Sequence, residues 1–116
     1  MDRIWRAAIN SWNGLVAVTR SEASFRQELM LLAIAVPLAF VLTDDVGKRF
    51  MLIGVIVFIL VVELLNTAIE KLGDRITRDN DSAIKTVKDM GSAAIGLSLL
   101  AAGAVWIWIV VERFWH

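Results

Sequence analysis

Cysteine is absent from the 116 residues, histidine occurs once, as the final residue His116, and proline occurs once, at Pro37. Without cysteine there is no disulfide framework, no thiolate nucleophile and no cysteine metal site. With histidine confined to the last position, the common metal and acid–base signatures built on imidazole are excluded as well. Carboxylates, lysines and hydroxyls remain to carry any chemistry. Lys and Arg together number 12, as do Asp and Glu, for a formal net charge of zero. The chain therefore lacks the basic stripe of a nucleic-acid-binding protein, and no nucleic-acid partner is expected. Nor do its seven glycines ever form the G-x-x-x-x-G-K phosphate loop. What it has in abundance is apolar sequence: 58% of residues are hydrophobic and the mean hydropathy is +0.66, against about 45–50% apolar in an average soluble protein. The composition is that of an integral membrane protein, and the length suits a single membrane domain over residues 1–116.

Periodicity predicts an all-α integral membrane fold, with an N-terminal amphipathic surface helix at about 3–18 and three transmembrane helices at about 25–43, 49–74 and 88–112. In the first segment Trp5, Ala8, Ile9, Trp12, Leu15 and Val16 share one side, while Arg3, Arg6, Asn10 and Asn13 occupy the other. Indoles facing arginines in this way suit a helix lying in the membrane interface, with Gly14 placed to loosen its last turn. Because Met1 to Thr19 mixes Arg, Asn and Trp, it does not read as a cleavable leader. Thr19 and Glu22 have capping-box spacing, which predicts a second helix from near Arg20. Leu29 to Leu42 is uninterrupted apolar sequence containing Pro37, a candidate kink. Thr43 to Arg49 reads as a turn, Phe50 as the start of the second span and Ser82 as the N-cap of the next helix. Met90 to Val111 is uncharged and leads into an aromatic belt of Trp106, Trp108 and Trp115. Ser92, Gly96 and Gly103 read as close helix packing.

Charge sets the orientation. Arg3, Arg6, Arg20 and Arg26 precede the first span, and Lys71, Arg75, Arg78, Lys85 and Lys88 surround the second loop. Only Lys48, Arg49 and Arg113 lie at the other end. The positive-inside rule places the N terminus and second loop in the cytoplasm and the C terminus outside.

The informative anomaly lies in the second span. Phe50 to Val62 carries no charge, yet Glu63, Asn66, Glu70 and Asp74 follow, within an arc of roughly 80° at ~100° per residue. Charged groups in a span are costly and mark functional sites facing protein or water. At about 1.5 Å per residue, Glu63 lies roughly 20 Å along the helix from Phe50. That is the inner part of a hydrocarbon core about 30 Å thick, so the acidic face spans the level where a lipid's polar end meets the cytosol.

Glu63, partly withdrawn from water, is a candidate general base for a hydroxyl. Glu70, nearer water, suits a hard cation such as magnesium, and Glu22 before the first span is placed to complete such a site. Asn66 is one turn from both Glu63 and Glu70 and suits the orienting of a phosphoryl group. Lys88 offers a cation for phosphate, and Asp89 an acceptor for a ribose or a lysine. Simpler roles compete: capping for Glu22, snorkelling for Lys88 and an interhelical bond for Asn66.

The string Glu63-Leu-Leu-Asn66-Thr-Ala-Ile-Glu70, then Asp74-Arg75, then Lys88-Asp89-Met-Gly91-Ser92-Ala-Ala, together with Glu22-Ala-Ser-Phe-Arg26-Gln27-Glu28, resembles the prokaryotic integral-membrane diacylglycerol kinase family. The resemblance covers nearly the whole chain. It implies a homotrimer of three-span subunits with a surface helix, phosphorylating a membrane lipid alcohol, 1,2-diacylglycerol, to phosphatidic acid with magnesium ATP at the inner face of the bilayer. It assigns Glu63 as the catalytic base, Glu22 and Glu70 as metal ligands that also serve the nucleotide, and Asn66 and Lys88 as catalytic groups near the phosphates. Nucleotide contacts would include Lys88, Asp89, Arg3, Asn10, Asp79, Asn80 and Asp81. Lipid contacts would come from Arg3, Ala7, Ala8, Ile9, Asn10, Ser11, Trp12, Ser24, Phe25, Arg26, Gln27, Glu28, Glu63 and Ser92. Active sites shared between subunits are implied. Some relatives carry tyrosine where this chain has Asn10, and the turn at 79–81 is unusually acidic.

A related branch phosphorylates undecaprenol, and these motifs do not separate the two lipids. A small proton-coupled exporter with a membrane-embedded glutamate is a reading from another class, opposed by three spans rather than four and by the extra acidic residues. A purely structural subunit is the third, and it requires neither metal nor turnover.

Overall fold

A computed structural model describes residues 2–115, leaving His116 outside the described residues. The chain is helical throughout: α1 (Asp2–Ser21), α2 (Ala23–Leu42), α3 (Val46–Ile76) and α4 (Ser82–Phe114). The last three, of 20, 31 and 33 residues, are each long and apolar enough to cross a membrane. At about 1.5 Å per residue α3 is about 46 Å long, so it overshoots a hydrocarbon core of about 30 Å and its terminal turns project beyond it.

Local chemistry sets the helix boundaries, and in three places differently from the sequence expectation. α1 runs through Gly14 and Thr19 to Ser21. Thr19 does not cap α2, because its hydroxyl donates to the Leu15 carbonyl of its own helix at 2.7 Å. Glu22 is instead the N-cap of α2, in extended backbone, and its carboxylate makes no capping bond. The exposed carbonyl end of α1 is closed by Arg26, whose guanidinium donates to Thr19 O at 2.9 Å and Arg20 O at 3.1 Å. α3 begins at Val46, four residues before Phe50, because the Asp45 carboxylate accepts from Lys48 N at 3.0 Å. Asp81, not Ser82, caps α4, accepting from Ala83 N at 2.9 Å and Ile84 N at 3.1 Å. An aspartate carboxylate accepts two orphan amide protons at once, which a serine hydroxyl one residue later is not placed to do.

α3 is the middle helix, packed against both α2 and α4, which barely touch each other. Its buried stripe runs Leu52, Ile56, Ile59, Leu60, Glu63 and Thr67, at the 3- and 4-residue spacing of one helical face. Three apolar clusters line it. Ala39, Leu52 and Ile109 pack at one end, Ala35, Ile56, Ile59 and Ala102 in the middle, and Val18, Phe25 and Leu60 at the other. Lipid is as apolar as leucine, so close packing rather than water exclusion holds such helices together. Alanines 35, 39 and 102 at the crossings let the backbones approach.

The tightest approaches involve different small residues from those expected. A side chain added at Gly96 or Gly103 would meet nothing within 4 Å, and Ser92 is exposed. At Gly73 an added Cβ would lie 3.0 Å from Lys88 Cε, and at Gly91 it would collide with Asn66 Oδ1. Trp106 also departs from expectation. It is not free in an interfacial belt, because its indole N–H donates to the Leu52 carbonyl at 3.0 Å and ties α4 to α3. Beyond it, Lys48 pairs with Glu112 and lies 5.9 Å from the Trp108 ring centroid. Replacing Trp106 with phenylalanine removes one interhelical hydrogen bond and should cost about 1 kcal/mol, read as a lower midpoint of SDS-induced unfolding in mixed micelles. An unchanged midpoint would show that this bond contributes nothing.

Candidate active site

All the polar groups that the sequence marks near the second loop gather at one end of the bundle. The helix order requires this: α2 starts there, α3 ends there and α4 starts there. Lys71 Nζ donates to Ser21 Oγ at 2.9 Å, linking α3 to the end of α1, and Lys88 on α4 reaches back to α3. The opposite end carries Asp44, Arg49, Lys48 and Glu112 in separate ion pairs.

Glu63 continues the apolar stripe of α3 one turn past Leu60 and is only 9% exposed. It therefore faces protein rather than lipid. Its carboxylate feels the charges of both Glu22 and Glu28, so the α1–α2 junction and the first turns of α2 bring two more carboxylates toward it. Glu28 is half-buried, and its Oε2 is enclosed without a hydrogen-bond partner. Like charges near one another in a partly dry site call for a cation or a proton between them. Because the Glu22 carboxylate is not used for capping, it is available for that purpose. Among the described residues no group of three or more His, Asp or Glu side chains is arranged to hold a metal ion. Magnesium, however, is usually bound by only one or two carboxylates plus phosphate oxygens and water. Glu22 and Glu70 supply two carboxylates at this end, and that donor chemistry fits.

One turn beyond Glu63, Asn66 does not bond to a neighbouring helix: its Oδ1 is buried with no hydrogen-bond partner. A further turn on, Lys88 does more than snorkel. Its ammonium lies 2.5 Å from Asp74 Oδ1 and 3.8 Å from Glu70 Oε2. This small network places one cation between two carboxylates at the projecting end of α3. Asp89 lies beside it on α4, exposed and paired with Lys85 at 2.7 Å.

Residues Thr77 to Ser82, with Ile84, Lys85 and Lys88, line a cavity of about 560 Å³. Asp79, Asn80 and Asp81 thus border the same space as Lys88. A second cavity of about 400 Å³ is lined by Lys71, Asp74, Arg75 and Arg78. Both are bordered by cationic side chains, Arg78, Lys85 and Lys88 in the first and Lys71, Arg75 and Arg78 in the second.

Other expected residues are not gathered here within one chain. Arg3, Ala7, Ala8, Ile9, Asn10, Ser11 and Trp12 are exposed along α1, and Ser11 only donates to its own helix at Ala7 O. Ser24, Gln27 and Ser92 are exposed. Phe25 is 2% exposed and packs with Val18 and Leu60, so within one chain it builds the core rather than a lipid surface. Sequence reasoning used Lys71 only for orientation and missed its bond to Ser21, which no spacing rule announces. It also gave no role to Gly91, although the one-turn spacing of Glu63 and Asn66 marked the face that Gly91 meets.

Comparison with known proteins bears on the whole of this arrangement. Residues 9–110 match the sequence profile of the family described as Prokaryotic diacylglycerol kinase. The diacylglycerol kinase of Pseudomonas aeruginosa is 39% identical over 111 residues, covering 96% of this chain and 90% of that protein. The diacylglycerol kinase of Escherichia coli K12 is 38% identical over 112 residues, covering 97% and 92% respectively. That of Haemophilus influenzae is 33% identical over 96 residues, covering 83% and 81%. A match of this extent, over a three-span helical chain with its acidic and basic groups drawn to one end, shows that the chain belongs to the prokaryotic diacylglycerol kinase family.

Proposed function

We propose that this protein phosphorylates 1,2-diacylglycerol to phosphatidic acid with ATP by direct in-line transfer, with Glu63 as the general base. The observation that carries the proposal is a nearly buried carboxylate on the protein-facing stripe of a membrane helix, two turns from a lysine held between two carboxylates. A lipid hydroxyl at headgroup level reaches Glu63 from the apolar side, and a nucleotide in the loop cavities reaches Lys88 from the aqueous side. Glu63 accepts the hydroxyl proton as the oxygen attacks the γ-phosphorus, and the bond from that phosphorus to the β–γ bridging oxygen breaks to release ADP. Lys88 exchanges its pairing with Asp74 for phosphate oxygens, and Asn66 orients the transferring group. Glu22 and Glu70 are the residues that would hold magnesium, which supplies positive charge to offset the phosphates. Positioning and electrostatics carry such transfers with little covalent chemistry from the protein.

The cavity at 77–88 suits the nucleoside, with Asp79, Asn80 and Asp81 around it and Asp89 reaching it only through its partner Lys85, and Arg3 and Asn10 reach it only if another subunit presents its α1. That requirement, and the large exposed apolar side chains along α2 to α4, support a homotrimer with active sites completed between subunits. The exposed Ile4, Trp5, Ile9 and Trp12 support α1 as an amphipathic helix on the membrane surface. There its residues 7–12, with Ser24 to Glu28 and Ser92, would border the lipid. All the relatives compared carry the name diacylglycerol kinase, which favours diacylglycerol over undecaprenol. The distribution of basic residues supports an inner-membrane protein with its N terminus in the cytoplasm and its C terminus in the periplasm.

Glu63→Gln keeps the shape but removes the base, and should lower kcat by about 10²–10⁴-fold while leaving ATP affinity nearly intact. Steady-state assays in mixed micelles with nucleotide titration read this, and a near-wild-type kcat would remove Glu63 from the mechanism. Orientation is open to labelling without background, since the chain has no cysteine. Asn80→Cys in intact cells should resist an impermeant maleimide that labels Asp44→Cys. The reverse pattern would invert the topology.

A further inference from the structure

The buried oxygen of Asn66 and the bare Cα of Gly91 occupy one contact between α3 and α4. Asn66 Oδ1 is enclosed and has no hydrogen-bond partner. The hydrogen of Gly91 that takes the place of a side chain points at that oxygen, because a Cβ built there would collide with it. A Cα–H facing a carbonyl oxygen across two helices is a recurrent weak attraction. Here it serves an acceptor that is enclosed and makes no hydrogen bond.

We propose that Gly91 is a positioning residue that sets the rotamer of Asn66. Holding the amide oxygen against α4 leaves the two N–H donors of Nδ2 as the hydrogen-bonding capacity Asn66 can offer to a ligand, and donors are what a phosphoryl oxygen requires. This rests on the reading of Asn66 as the group that orients the phosphoryl. Glycine is needed at 91 for space, not for backbone freedom: the position is helical and no glycine here has positive φ. Ordinary helix energetics would favour alanine at this position, so a loss on substitution by alanine reports the contact with Asn66 rather than a damaged helix.

The test compares Gly91→Ala with Gly96→Ala on the same helix, where an added methyl meets nothing within 4 Å. Gly91→Ala should lower kcat at least tenfold with little change in KM for ATP, and should shift the side-chain amide resonance of Asn66 in a micelle NMR spectrum. Gly96→Ala should leave both at wild-type values. Asn66→Gln probes the same contact from α3, does not depend on how well Gly91→Ala folds, and should also lose at least tenfold in kcat, since its longer amide cannot sit on the Gly91 hydrogen. A wild-type rate in Gly91→Ala or Asn66→Gln, or equal losses in Gly91→Ala and Gly96→Ala, overturns the proposal. The amide resonance separates the two readings. If the wild-type protein transfers no phosphate to lipid, the functional reading fails. If the resonance does not move in Gly91→Ala, the positioning contact fails.

Discussion

A carboxylate in a membrane helix cannot face hydrocarbon, and the burial of Glu63 satisfies that constraint. Placing Glu63 on the inner stripe of α3 commits the whole helix to a rotation: Leu52, Ile56, Ile59 and Leu60 must turn inward with it. α2 and α4 then pack on either side of that stripe. The same rotation brings Asn66 toward α4, where only a glycine at 91 admits it, and carries Glu70 and Asp74 to Lys88. One electrostatic requirement thus fixes helix register as well as chemistry.

The two ends of the bundle divide the work. At one end Trp106 bonds to the Leu52 carbonyl, Lys48 pairs with Glu112 and Arg49 with Asp44. At the other end Glu28 Oε2 and Asn66 Oδ1 are enclosed without hydrogen-bond partners, and Glu22 stands at a helix start without capping it. Unsatisfied polar groups in a membrane helix are costly, and these lie at the end where the carboxylates of α2 and α3 gather. The pairing of Lys88 with Asp74 and Glu70 is an exposed, exchangeable arrangement of modest strength. It is suited to being traded for a phosphate.

Much of this was legible in the sequence because helical periodicity assigns faces. The 63, 66, 70, 74 stripe, three apolar segments, the first of them short for a span by itself, and an acidic turn at 79–81 needed no structure to be seen. What periodicity does not give is the partner of a face. Gly96 and Gly103 looked like packing residues, yet within one chain an added Cβ there meets nothing, while at Gly73 and Gly91 it meets the facing helix, because contact depends on that helix's register. The caps failed for a related reason. Thr19 and Ser82 had acceptable spacing, but Thr19 preferred its own helix's carbonyl and Asp81 offered a better acceptor one residue earlier. Trp106 looked like a belt residue and proved to be an interhelical bond, since an indole at a helix crossing finds a backbone carbonyl before it finds a headgroup. The conversion of an acidic stripe into a kinase site needed the family resemblance, because no spacing rule connects these residues to ATP.

The central claim is that the acidic end of the bundle transfers phosphate from ATP to a lipid alcohol. Purified protein in mixed micelles, given γ-labelled ATP and equal amounts of diacylglycerol and undecaprenol, tests it directly. The account requires label to enter phosphatidic acid in preference to undecaprenyl phosphate. Label found chiefly in the polyprenyl product, or in no lipid at all, would contradict it.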